Sequence, residues 1–424
     1  MSKEKEPKKE VIEEEDQRNI LQRIFVRKGA SRTALIPFLA VVTALVLGAF
    51  VIAFTSPDVW AIWGSEGAGA ALGKAWEMVS NAYIALFEGA FGQPSRMIEA
   101  IGNYFQTGET RPLLDAFRPI AESLVITTPY IFAGLGVALG FQGGLFNIGA
   151  EGQLYIGGLA SVFVGYSISG LPWYIHLPLA LAAGILAGAL WGAVPGFLKA
   201  WTGAHEVINT IMMNYIAFRL ADYLLLGPMA RGDGIPITID IEPSAYLPEI
   251  FPRPMRLHWG FFLALFVAWL VYWFLYKTKY GMEIRMVGAN PNAARYAGIK
   301  IPIVTVMTMA ISAALSGLAG TAQVLGIDHR MTQSLSPGYG FDAIALALLG
   351  NSHPLGVVLA SLLFGFLRGG AARMQSMAGI PVEIIRVVQG MIIIFIAAPE
   401  IIRGLYRIKE KRAEEEILKQ SASS

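Results

Sequence analysis

The chain of 424 residues contains no cysteine. That excludes a disulfide framework, a lipoprotein attachment site and thiolate chemistry. Charge is scarce as well: Asp, Glu, Lys and Arg make up 15% of the residues and the formal net charge is only +2, which argues for no nucleic-acid partner. The five histidines, His176, His205, His258, His329 and His353, are scattered without metal-ligand spacing. Gly73 and Lys74 begin like a phosphate-binding loop, but Ala68 replaces its first glycine and Ala75 its hydroxyl residue. With no Ser/His/Asp arrangement and no paired-carboxylate signature, the sequence predicts neither an enzyme nor a cofactor held by this chain.

What is abundant is apolar surface. Hydrophobic residues make up 54% of the chain and the mean hydropathy is +0.52, too apolar for a soluble protein of this length. A spanning helix needs about 20 apolar residues. Nine windows qualify: 34–54, 120–140, 148–168, 174–198, 207–226, 258–276, 303–325, 355–370 and 380–398. Residues 341–350 form a shorter tenth. The expected fold class is all-α, a polytopic integral membrane helical bundle.

Lys and Arg collect on the cytoplasmic side of spans. Arg23, Arg27, Lys28 and Arg32 precede the first window, Lys277, Lys279, Arg285, Arg295 and Lys300 fill a central loop, and Arg403, Arg407, Lys409, Lys411 and Arg412 follow the last. All three clusters are placed inside. Cytoplasmic N- and C-termini require an even number of crossings, so about ten transmembrane helices are expected, residues 341–350 included. The connections 55–119 and 227–257 then fall outside. Within the first, residues 75–91 are amphipathic, which suits a helix covering its own bundle or one lying on the outer membrane face.

The central loop, residues 277–302, carries the punctuation of a short helix. Asn290 suits an N-cap, Pro291 the first helical position and Gly298 a left-handed C-terminal cap. A plain interhelical loop is the alternative. The window 174–198 carries Gly184, Gly188, Gly192 and Gly196 on one stripe, a device for close helix packing.

Polar side chains inside apolar spans are costly and mark interiors or water-filled paths. The clearest group follows Gly143 and Gly144, where Asn147, Glu151 and Gln153 enter an apolar helix and Asn147 and Glu151 share a face. Two readings stay open there: a broken helix start offering polar groups to a solute, or Glu151 bracing backbone that glycine has loosened. The window 207–226 opens with His205, Glu206, Asn209, Thr210 and Asn214, and Arg219 and Asp222 suit a structural ion pair. Phe341 and Asp342 start a late apolar segment as Phe146 and Asn147 start an early one. The candidate substrate path is Asn147, Glu151, Gln153, Asn209, Asn214 and Asp342.

Four runs together resemble one family. They are LFNIGAEGQLYIGGLA (145–160), HEVINTIMMNYIA (205–217), RMVGANPNAARYAGI (285–299) and GFDAIALALLGNSHPLGV (340–357). In order and spacing they resemble the permease subunits of ABC importers for nucleosides, within the wider ribose and branched-chain amino acid permease group. The likeness covers about residues 119–398. The stretch Asn292, Ala293, Ala294 to Gly298 partly resembles the EAA loop of ABC permeases, with Asn292 where that motif has Glu.

The windows and basic clusters bound a transmembrane permease domain at 34–402, flanked by charged cytoplasmic tails at 1–33 and 403–424, and the resemblance implies a bacterial or archaeal cell (inner) membrane. It implies an ATPase subunit with two nucleotide-binding domains that uses the ATP, a second homologous permease and an extracytoplasmic substrate-binding protein. It makes 277–302 the coupling loop, with Arg285, Gly288, Asn290, Pro291, Ala293, Ala294 and Gly298 as the ATPase-coupling residues. A simple sugar such as ribose is the alternative cargo, and an ion-coupled secondary transporter the alternative class.

Overall fold

The computed structural model describes residues 30–398, 401–402 and 405–406. The tails assigned to 1–33 and 403–424, with most of the terminal basic clusters, lie largely outside the described residues. The chain divides into two units, residues 50–387 and the two terminal stretches 1–49 with 388–424. In the terminal unit Thr43 donates to the Leu39 carbonyl at 2.7 Å and lies 3.0 Å from the Tyr406 hydroxyl.

Helices account for all regular structure among the described residues apart from isolated bridges. In chain order they are α1 (Ala30–Thr55), α2 (Pro57–Glu66), α3 (Ala68–Phe91), α4 (Pro94–Thr107), α5 (Arg111–Gln142), α6 (Ala150–Ser167), α7 (Trp173–Thr202), α8 (Glu206–Leu226), α9 (Gly260–Lys277), α10 (Lys279–Ala289), α11 (Pro291–Tyr296), α12 (Ile301–Gln323), α13 (Tyr339–Leu349), α14 (Pro354–Ala378) and α15 (Glu383–Ala397). A π turn, Val324–Asp328, extends α12. Six of these helices are long and apolar enough to cross a membrane: α1, α5, α7, α9, α12 with its π turn, and α14. The windows 148–168, 207–226 and 380–398 form α6, α8 and α15, which are helical but shorter or more polar. Residues 341–350 lie in α13, whose 11 residues span about 16 Å, half a bilayer.

The centre of the larger unit is α12, packed along α7, α6 and α5. The glycine stripe of α7 makes the tightest of these contacts possible. A Cβ on Gly188 would lie 2.6 Å from the Ala313 carbonyl, on Gly192 2.7 Å from that of Met309, and on Gly196 2.9 Å from the Met309 side chain. Any side chain there would push the two backbones apart.

The connection 55–119 holds the end of α1, then α2 to α4 and the first turns of α5. Of these, α3 runs along α14, burying Ala71, Ala82, Ala85, Leu86 and Ala90, with Gly89 against Gly370 and Glu88 paired to Arg373 at 2.9 Å. The long connection after α8 folds onto the bundle: Thr238 N–H donates to the Met331 carbonyl (3.1 Å), Ile241 to His329 (2.9 Å) and Leu247 to Leu325 (2.9 Å). His258, just before α9, is buried against Gly326 of the π turn, with Nδ1 accepting from Gly260 N–H at 3.1 Å. Burial, with His329 nearby, lowers its pKa to about 4.

Candidate functional site: a broken helix joined to the loop 277–302

At Gln142 α5 ends and the chain turns through Gly143 and Gly144 before α6 begins at Ala150. Gly144 adopts φ +71°, left-handed backbone that favours glycine. A helix start leaves N–H groups without partners, and here side chains supply them. Asn147 Oδ1 accepts from Gly149 N–H at 2.9 Å, and Asn214 of α8 accepts from Gly152 N–H at 2.8 Å while its Nδ2 donates to the Ile148 carbonyl at 2.9 Å.

The Asn147 amide is committed on every side. Its Nδ2 donates to Gln153 Oε1 and to Ser312 Oγ, both at 2.9 Å, and Gln153 Nε2 returns a bond to Asn147 Oδ1 at 3.1 Å. Ser312 in turn donates to the Gly136 carbonyl at 2.7 Å, tying α12 and α5 into the same network. Asn147, Gln153 and Asn214 are at most 2% exposed. A fully satisfied buried network fixes one arrangement of backbone.

Glu151 reaches a second helix start. Its Oε2 accepts from Gly340 N–H at 2.6 Å, where α13 begins after the left-handed Gly338, and Gly340 packs so closely that a Cβ there would lie 2.5 Å from Glu151 Cα. A carboxylate at a helix N-terminus complements its free N–H groups and dipole. In the same first turn of α13, Asp342 Oδ2 accepts from the Tyr130 hydroxyl of α5 at 2.7 Å and from Arg368 Nη1 of α14 at 3.2 Å. Arg368 Nη2 also donates to the Pro337 carbonyl at 3.2 Å. The Asp342 side chain stays 30% exposed, and its Oδ1 takes no bond among the described residues.

Asn147, Glu151, Gln153 and Asn214 thus come together around the break. Asp342 joins them only through the Glu151–Gly340 contact. Asn209 shares no bond with the others; half-buried, it carries an Nδ2 with no partner among the described residues. Its neighbour Glu206 pairs with Lys199 at 2.9 Å, and Arg219 pairs with Asp222 at 3.2 Å. Sequence reasoning missed Arg368 and Tyr130. The signal for Arg368 was present, an ionisable side chain inside the window 355–370.

The loop 277–302 holds two helices, α10 and α11, where one was expected. Thr278 caps α10 by accepting from Gly281 N–H at 3.1 Å. Asn290 caps α11, accepting from Asn292 and Ala293 N–H at 3.0 and 3.1 Å; Pro291 opens the helix and Gly298 follows it at φ +79°. Ala293 is exposed, but Ala294 is fully buried within the chain, so it seats α11 on its own protein. Tyr296 projects outward, 95% exposed. Arg285 is committed locally: Nε donates to the Leu275 carbonyl at 3.0 Å and the guanidinium covers the Tyr276 ring at 4.8 Å. Gly288 of α10 rests on the break itself, where a Cβ would lie 2.7 Å from Gly144 N and 2.8 Å from the Gly143 carbonyl carbon.

The chain is similar to several importer permeases. The guanosine ABC transporter permease protein of Bacillus subtilis is 40% identical over 341 residues, covering 79% of this chain and 90% of that protein. The glucose ABC transporter permease protein of Haloferax volcanii is 36% identical over 299 residues (68% and 78%), and a nucleoside ABC transporter permease protein of Lactococcus lactis 35% over 298 residues (68% and 82%). No solved structure matches. Residues 120–397, which hold the break, the loop 277–302 and the α13 helix start, match the branched-chain amino acid transport system / permease component family, and the chain belongs to that family of multi-pass membrane permeases.

Proposed function

We propose that this chain is a translocation subunit of an ABC importer for nucleosides. The observation that carries the reading is the contact of Gly288 with Gly144, which joins the loop after α9 to the broken helix start between α5 and α6. A partner that displaces α10 and α11 therefore acts directly on backbone deep in the bundle. Two of the three relatives above are named for guanosine or nucleosides, and the four quoted runs support the same cargo.

In this reading the chain crosses the cell membrane about ten times with both termini and the loop 277–302 in the cytoplasm. An ATPase subunit with two nucleotide-binding domains binds and hydrolyses ATP, this chain supplying no nucleotide site. It docks against α11 through exposed side chains such as Ala293 and Tyr296. A second permease completes the path and an extracytoplasmic binding protein loads it. Asp342 and Asn209, which keep uncommitted polar atoms, meet the solute; Asn147, Glu151, Gln153 and Asn214 form the rigid edge of the path. Movement is rigid-body rocking of the spans attached to α10 and α11.

The relative named for glucose favours a second cargo, a hexose. Vesicles containing this chain with its partner subunits test both. ATP-dependent uptake of guanosine, with glucose excluded, is the expected result. Glucose uptake without nucleoside uptake overturns the cargo, and uptake by this chain alone under an ion gradient overturns the class.

A further inference from the structure

The end of the bundle that carries α10 and α11 has a second feature that the transport reading does not use. Between the last turn of α7 and the first turn of α12 lies a cavity of about 390 Å³, lined by Trp201, Ile299, Pro302 and Ile303 with the cations Arg295 and Lys300 at its edge. Two neighbouring cations are paired, Lys199 with Glu206 at 2.9 Å and Lys279 with Glu283 at 3.7 Å. Arg295 and Lys300 form no ion pair among the described residues, and both are exposed.

The apolar part of this cavity continues into a stripe. On the face of α7 turned away from the buried glycines, Leu186, Leu190, Val194, Phe197 and Trp201 are all exposed, at steps of three and four residues, and the Phe197 and Trp201 rings stack with centroids 4.6 Å apart. This stripe is about 22 Å long, enough for one leaflet of a bilayer whose hydrocarbon core is about 30 Å thick. Tryptophan at the end of such a stripe sits at the headgroup level. The two unpaired cations therefore lie where a lipid phosphate lies, at the foot of a surface shaped for its acyl chain.

We propose that this cavity binds an anionic phospholipid, its phosphate held by Arg295 and Lys300 and one acyl chain laid along the α7 stripe. Basic pockets between span ends take anionic headgroups because the charge attraction adds to acyl burial. Arg295 belongs to α11 and Lys300 leads into α12, so the lipid ties α11 to the bilayer beside α7. The site depends on neither the nucleoside reading nor the ATPase.

Native mass spectrometry of the purified full chain, titrated with phosphatidylglycerol and with phosphatidylcholine of equal chain length, tests the site. We expect at least a tenfold preference for phosphatidylglycerol. The double variant Arg295→Gln/Lys300→Gln should lose it, while Arg295→Lys/Lys300→Arg and a control pair, Lys277→Gln/Lys279→Gln, should keep it. Free glycerol phosphate should not displace the lipid. Equal retention of the two lipids by the unmodified chain overturns the proposal. So does an unchanged preference in the double variant, and so does displacement by glycerol phosphate, which would mark a site for the phosphate alone. Loss of ATPase binding with lipid preference intact would assign the two cations to the partner instead.

Discussion

Gly288 and Gly144 meet backbone to backbone: a Cβ on Gly144 would lie 3.0 Å from Gly288 Cα, and one on Gly288 would strike the amides of the break. The atoms in the way are main chain, which no rotamer change can move aside. Gly288→Val should therefore separate α10 from the break. Uptake in vesicles is expected to fall at least tenfold while the chain still inserts and still binds its ATPase. Uptake within twofold of the parent protein would show that this contact transmits nothing.

Among the described residues, the Glu151 carboxylate is the side chain that accepts from the Gly340 N–H, at 2.6 Å, so its removal leaves that donor buried without a partner. Such a loss costs about 1–3 kcal/mol. Glu151→Gln keeps an acceptor and should retain assembly and most uptake. Glu151→Leu should lower the unfolding temperature in detergent by several degrees. Unfolding temperatures equal across all three proteins would mean that Glu151 is no brace and serves the solute instead.

Arg368 and Asp342 form an ion pair 19% and 30% exposed. Removing one partner of a fully buried pair costs about 3–5 kcal/mol, and partial exposure reduces this to on the order of 2 kcal/mol. Arg368→Leu should destabilise the chain by that amount, measured by denaturation in detergent. Adding Asp342→Leu should restore much of the stability, because the unpaired carboxylate is gone, yet leave uptake low. Full recovery of uptake in the double variant would remove Asp342 from the path.

Burial, with His329 nearby, lowers the pKa of His258 to about 4 in the folded chain, from an ordinary value of about 6.5. The folded state therefore binds fewer protons than the unfolded one between these values. Stability contributed by neutral His258 is complete above about pH 6.5 and is lost as pH falls toward 4. His258→Asn keeps an acceptor for Gly260 N–H without titrating near this range. Melting curves of the variant should show a shallower acid loss than the parent; parallel pH profiles would contradict the assignment.

Much of this architecture was legible in one dimension. The Asn290-Pro291 start, the Gly298 stop and the α7 glycines are local or periodic signals, and each takes the geometry its residue type favours. The amphipathic stretch 75–91 falls within α3, which covers its own bundle, but its buried alanines and Leu86 carry no local sign that α14 is the helix they meet. Arg368 was hidden in a run that one charge scarcely alters, and its partner Asp342 lies 26 residues away. The pairing of Glu151 with Gly340 joins positions 189 apart. No spacing rule reaches that far, since the contact exists only once α6 and α13 are packed.

The glycine seam between α7 and α12 has a mechanical side. Two rods clamped main chain to main chain bend far less than rods cushioned by flexible side chains, so the pair behaves as a single girder. Its α12 member, with the π turn, runs 28 residues from Ile301 to Asp328, about 42 Å, and starts five residues after α11 ends. A tilt of about 5° at that end would swing the opposite end by roughly 4 Å. If a partner moves the six-residue α11, as the transport reading proposes, that displacement would reach the opposite end of the girder enlarged rather than absorbed, beneath the connection 227–257.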